Sequence, residues 1–178
     1  MSSQGRVDMP SRADTAAVSD EQWREAVRIV RRTIRTSLHC SIASTNPDGS
    51  AHVTPIGSLL LTDKGAGVYF DAFNVRLATN VDRDPNVSIL AVDSGPLLWL
   101  RSLVGGRFVR PPGIRLIGTV SGPRPSTQAE VARFRGFVGP LFRTRGGQML
   151  WGSLPTARDV RINRIEGIGM GAMTAPRA

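Results

Sequence analysis

Only one cysteine, one lysine and two histidines occur in the 178 residues, and no uninterrupted apolar run approaches the ~18 residues of a membrane-spanning helix. Each scarcity excludes something. The lone Cys40 has no intramolecular disulfide partner and, lying in a strand-like pattern, reads as a small buried hydrophobe rather than a redox nucleophile. His39 and His52 have no Cys, Asp or Glu near them at metal-ligand spacing, so no metal site is expected. There is no GxGxxG after a strand and no GxxxxGK[ST], which removes support for a Rossmann or P-loop nucleotide site. The N-terminal stretch lacks the apolar centre of a secretory signal, so the expected location is the cytoplasm, without membrane contact. No acid–base or nucleophile set stands out, the catalytic residues stay unassigned, and any chemistry has to come from a bound cofactor.

Acidic residues are scarce in the second half of the chain. The net charge is +9, but residues 1–100 carry ten Arg or Lys against eleven Asp or Glu, whereas residues 101–178 carry thirteen against three. Such asymmetry points to an anionic ligand or partner. Because 22 of the 23 cations are Arg, the bias also fits a GC-rich genome, such as that of an actinobacterium. The arginines lack interleaved aromatics and no recognition motif accompanies them, so nucleic acid is not an expected partner.

Residues 1–18 are polar and aperiodic and read as a flexible arm; residues 19–178 read as a single domain. Ser19 with Gln22 forms a capping-box pattern ahead of a helix in which Trp23, Val27, Val30 and Ile34 recur at helical spacing and which should end near Thr36. Strands are expected at 38–44, 51–61, 67–70, 87–92, 114–121 and 160–168. The first two are joined by a turn at Asn46-Pro47-Asp48-Gly49. The links at 45–50 and 62–66 are too short for parallel crossovers, so the fold class is mainly β (α+β): an antiparallel six-stranded sheet closing toward a barrel, with an N-terminal helix and peripheral helices. Arg76 stands at the start of a short helix, where unpaired backbone N–H groups and a guanidinium together favour a phosphate. The Leu-, Trp- and Arg-rich stretch 94–113 reads as an inserted loop, with Trp99, Arg101 and Phe108 as candidate lid or substrate contacts. A second helix is expected from Ser126 through Val131, Phe134 and Phe137 to Gly139-Pro140, followed by an ambiguous helical turn and loop over 141–151.

Three spaced runs, namely residues 43–49, His52-Val53-Thr54-Pro55-Ile56-Gly57, and Arg76-x-x-x-Asn80 leading to Asp84-Pro85-Asn86-Val87-Ser88, resemble the pyridoxamine 5'-phosphate oxidase-like FMN-binding split β-barrel family. The likeness covers roughly residues 38–121. It implies a split barrel and a homodimer with the cofactor at its interface. By the same likeness His52, Thr54, Pro55, Ile56 and Gly57 would lie along the flavin ring, with Phe70 and Asp71 beside its ribityl chain. Arg76 would hold the phosphate, Asn80 would support that helix or the phosphate, and Arg115 would reach in from the neighbouring subunit. The departures are informative. Arg76 is followed by Leu77 where the pyridoxamine-phosphate oxidases place an Arg-Lys pair, and residues 158–171 lack their Trp and Arg-x-His substrate signature, which sets that specific activity aside. The expected function is hydride transfer to a small organic substrate through bound FMN. The alternatives are a reductase using the deazaflavin coenzyme F-420, and a non-enzymatic flavin- or haem-binding protein with His39, His52, Cys40 or a Met as axial ligand.

Overall fold

The computed structural model describes residues 18–174, so all of the expected arm except Val18 lies outside the described residues. Helix α1 (Asp20–Ser37) begins at the expected cap: Ser19 Oγ accepts the Gln22 N–H at 3.2 Å, and Gln22 Oε1 accepts the Ser19 N–H at 3.0 Å. Its apolar stripe, Trp23, Ala26, Val30 and Ile34, is buried. It ends one residue past Thr36, on Leu38, whose φ of 63° places a leucine in the left-handed region.

The strands follow as β1 (Cys40–Thr45), β2 (Ala51–Ile56), β3 (Leu60–Leu61), β4 (Ala66–Phe70), β5 (Asn86–Val92), β6 (Gly113–Val120), β7 (Arg124–Pro125) and β8 (Thr156–Gly167). All pairings are antiparallel, in the order β2-β1-β5-β6-β8-β4-β3, with β7 added to β8. The six long strands are those expected, and the two-residue β3 and β7 bring the number among the described residues to eight. The expected single strand 51–61 is in fact two: β2 and β3 form opposite edges of the sheet. The chain turns from one edge to the other through residues 57–59, and this curls the sheet into a half-barrel. Within it Ile42, Ile89, Leu116 and Val160 pack with the stripe of α1, while a second cluster of Phe70, Phe134, Trp151 and Leu154 lies under the later helices.

The segment expected as an inserted loop is helical, α3 (Pro96–Val104), with Pro96 at its first turn, where a missing N–H costs nothing. Its leucines recur without a polar stripe, so the sequence offered no helical period to read. Helix α2 (Val75–Arg83) carries Arg76 as expected. Helix α4 (Gln128–Val138) starts two residues after the expected Ser126, because the cap is Thr127: its Oγ1 accepts the Glu130 N–H at 3.2 Å and Glu130 Oε2 accepts the Thr127 N–H at 2.9 Å, whereas the Ser126 hydroxyl donates to the Leu154 carbonyl. The ambiguous 141–151 stretch is a 3-10 turn (Gly139–Arg143) and helix α5 (Arg145–Trp151).

Glu130 also accepts from Arg124 at 2.5 Å, and Arg124 reaches Asp159 of β8 at 2.6 Å. The Arg124 hydrogen bond holds the Glu130 carboxyl at about 2, below its usual 4.5. A depressed carboxyl stabilises the fold above its unfolded pKa, and that stability is lost as pH falls from about 4.5 toward about 2. Glu130→Gln is therefore expected to cost ~1 kcal/mol at pH 7 and progressively less below about pH 4.5. Urea midpoints of the two proteins across that range measure it.

Candidate functional site

Where β2 leaves the sheet, a cleft of about 340 Å³ opens between the end of β2, the end of β4, the approach to α2, and α5. Pro55, Ile56, Gly57 and Ser58 form one wall and Phe70, Ala72, Phe73 and Asn74 another; Leu150 and Trp151 close it from α5, Leu154 from the segment after α5, and Leu38 from the end of α1. The corner leaves no room for a side chain at residue 57. A Cβ on Gly57 would lie 2.8 Å from the Leu38 carbonyl oxygen and 3.9 Å from Trp151 Nε1. Ser58 then ties the corner to the end of β4: its hydroxyl donates to the Phe70 carbonyl at 3.0 Å and accepts the Phe70 N–H at 3.1 Å.

Polar links on several sides fix α2 against this cleft. Asn74 Nδ2 donates to the Pro55 carbonyl at 3.3 Å, and its Oδ1 accepts from the Thr54 hydroxyl at 3.2 Å. With that amide turned toward β2, no side chain among the described residues caps α2, and its first-turn N–H groups are left for another acceptor. Asn80 is buried, donating to Ser44 Oγ and Asn46 Oδ1, both at 3.1 Å, so it ties α2 to the β1–β2 hairpin. Arg158 of β8, 2% exposed, donates to Asp71 at 2.7 Å, to Asp82 of α2 at 2.6 Å, and to the Ser121 carbonyl at 3.3 Å. Hydrogen bonding by Arg158 pulls the Asp82 carboxyl down, and the paired carboxylates raise the guanidinium further against the cost of its burial.

The structure thus brings Pro55, Ile56, Gly57 and Phe70 of the expected ring-binding set into one cleft, with Thr54 at its edge on Asn74. His52 stays behind, its Nδ1 3.4 Å from Ser44 Oγ, and the carboxylate of Asp71 is turned to Arg158. Arg76 is exposed at the start of α2 and makes no hydrogen bond or ion pair with the described residues. It lies near enough to the hairpin tip to help lower the Asp48 carboxyl, after the hydrogen bonds from Ser50. Arg115 points outward from β6 to Glu166 at 3.2 Å. Trp99, Arg101 and Phe108 do not line the cleft. Trp99 donates to the Asp93 carbonyl at 2.8 Å and meets buried Phe108 edge-on at 5.2 Å.

Sequence reasoning passed over Asn74, Trp151 and Arg158, and took Ser58 only as the end of the strand along the ring. Asn74, just ahead of the Arg76 helix, was the one with a local signal, since Asn before a helix is a capping residue. The indole N–H of buried Trp151, beside Gly57, has no hydrogen-bond partner among the described residues, so the cleft contains a donor without an acceptor.

Residues 27–135 match the family model described as pyridoxamine 5'-phosphate oxidase. No curated protein matches by sequence. Among solved structures, an FMN-binding protein from Syntrophomonas wolfei subsp. wolfei is similar at 11% identity and TM-score 0.57, covering 85% of this chain and 91% of its own. A protein titled F420 reductase is similar at 17% identity and TM-score 0.51, over 78% and 94% of the two chains. HutZ, the haem-storage protein of Vibrio cholerae, is similar at 12% identity and TM-score 0.50, over 77% and 89%. At these identities the likeness is one of fold.

Gly57→Ala is expected to cost ~1–3 kcal/mol, because the new methyl group meets a backbone carbonyl and not a flexible side chain. Urea denaturation measures it, and a loss below about 0.5 kcal/mol would mean that the corner relaxes freely.

Proposed function

From the premise that this chain belongs to the pyridoxamine 5'-phosphate oxidase family, we propose that it is an FMN-dependent oxidoreductase acting on a small organic molecule. One observation carries the reading. The uncapped start of α2 and the unpaired Arg76 stand beside a cleft walled by Phe70, Phe73, Leu150, Trp151 and Leu154. An apolar slot of this kind suits a flat ring, and a helix start with a free guanidinium suits a phosphate on the same molecule.

When bound, the isoalloxazine supplies hydride chemistry that no side chain here provides. The chain's own residues bind and orient. Phe70 and Trp151 shield the ring from water, and the N–H groups of Ile56 and Gly57 with the Trp151 indole offer donors to its polar edge. Asn74 holds α2 at a fixed distance from β2, which keeps the phosphate end in register with the ring end. Asn80 and Arg158 maintain that helix from behind.

A homodimer belongs to the proposal. Val53 on the free edge of β2, Phe73 at the cleft and Val75 beside it are 63%, 65% and 79% exposed, and a second copy covering them would exclude water from the ring. The third expected contact, Arg115, would then come from that copy.

A second reading, a reductase using the deazaflavin coenzyme F-420, has its own support. Leu77, which takes the place of the family's phosphate lysine, is fully buried in the core, so this position adds no second cation to Arg76 at the phosphate end. The Arg-rich second half suits a longer anionic ligand. A haem reading finds less support, because none of the cleft-lining residues is His, Cys or Met, and Cys40 is buried elsewhere with its thiol pushed up to about 12 by desolvation.

Parallel fluorescence titrations with FMN and with F-420 separate the two flavin readings, and binding of neither would overturn both. Arg76→Ala is expected to weaken the bound cofactor by ~1.5–3 kcal/mol without changing the thermal midpoint. Unchanged affinity would remove the phosphate from the start of α2.

A further inference from the structure

A second cleft, also about 340 Å³, lies between α1 and α4 and is lined by Arg31, Arg35, Leu60, Arg133, Gly136 and Phe137. Arg31 and Arg35 are one turn apart on α1, and Arg133 comes from α4 across the gap. All three are exposed, and none makes a hydrogen bond or ion pair with a described residue. Among the described residues no carboxylate lines the cleft. This sets it apart from the other arginine sites around it: Arg32 pairs with Asp93, Arg28 with Glu25, and Arg124 with Glu130 and Asp159. Three like charges converging on one hollow repel one another, and an anion of matching charge removes that repulsion.

The remaining lining indicates what kind of anion. Leu60 and the half-buried ring of Phe137 give the hollow an apolar floor, which a bare inorganic ion does not use. Gly136 sits within α4, where glycine weakens a helix, yet a Cβ there would meet nothing within 4 Å. Packing does not require that glycine, and the space above it is part of the hollow.

We propose that the α1–α4 cleft binds a small organic polyanion, a molecule with two or more carboxylate or phosphate groups on an apolar or aromatic frame, the anionic groups on the arginines and the frame on Phe137 and Leu60. The inference stands apart from the flavin reading, since it uses none of the residues of the first cleft.

Isothermal titration with benzene-1,3,5-tricarboxylate as probe, beside citrate and benzoate, tests it on the full chain. The aromatic tricarboxylate is expected to bind at one site per chain, tighter than citrate, which lacks the ring, and tighter than benzoate, which has one charge. Removing Arg31, Arg35 and Arg133 singly should weaken it by about tenfold each, the scale of a charged hydrogen bond, and Gly136→Leu should weaken it by filling the hollow. A control variant that removes the same charge elsewhere, Arg143→Ala, Arg145→Ala and Arg161→Ala together, should bind as the parent does. Equal weakening by the control triple and by a triple of the cleft arginines would mean general attraction to a basic surface and overturn the site. So would a benzoate affinity matching that of the tricarboxylate, or parental affinity in the cleft variants. A two-phosphate counterpart on the same ring, 1,3-phenylene bis(phosphate), run against the tricarboxylate, distinguishes the phosphorylated from the carboxylated class of ligand. Because Arg31, Arg35 and Arg133 lie outside the flavin cleft, FMN affinity should be the same in these variants whatever the anion result.

Discussion

The carbonyl oxygen of Leu38 stands 2.8 Å from where a Cβ on residue 57 would be, so the backbone at the end of α1 and the backbone leaving β2 cross with no room for a methyl group. Leu38 accepts a left-handed conformation to make that crossing, a cost usually met by glycine. Past it the chain moves from one edge of the sheet to the other, and the single hydroxyl of Ser58 fixes the new course on both the N–H and the carbonyl of Phe70. The curl of the half-barrel, the cleft beside it and the approach of α2 to β2 are consequences of this corner.

A second constraint works from the opposite side. The buried guanidinium of Arg158 gathers Asp71, Asp82 and the Ser121 carbonyl, joining the end of β4, helix α2 and the turn after β6. Such a cluster does more for arrangement than for net stability, because desolvation offsets much of its attraction. The hydroxyl of Tyr69 nearby has no hydrogen-bond partner among the described residues, and burial, with Asp71 close by, pushes its pKa up. Two kinds of arginine stand out among the described residues. Arg124 and Arg158 hold elements together through carboxylates, while Arg76 in one place and Arg31, Arg35 and Arg133 in another face solvent without partners among the described residues. The surplus of cations over anions in the chain as a whole, +9, leaves arginines without a carboxylate to pair with; the fold decides where they gather.

Much of the architecture was legible locally. The Ser19 box, the Asn46–Gly49 turn and the Arg76 helix each depend on residues within a few positions of one another, and all appear as the pattern implied. The failures share a cause. Residues 51–61 read as one strand because both halves are apolar and extended, and the break between them depends on Leu38, far along the chain. Residues 94–113 read as loop because α3 is apolar nearly all round, with Leu97, Leu100 and Leu103 exposed, so no amphipathic period marks it as a helix.

Capping chemistry, hairpin turns, alternation along the strands and a cation at a helix start are short-range properties, and the sequence by itself determined them, together with the absence of a metal-ligand spacing or nucleotide loop. Tertiary structure alone decided that Asn74 would turn from its helix to β2, that Trp151 would bring an unpartnered N–H to Gly57, and that Arg133 would meet Arg31 and Arg35 across a gap. Each joins residues tens of positions apart, or a side chain choosing between two partners, and that choice depends on where the curled sheet sets the second one.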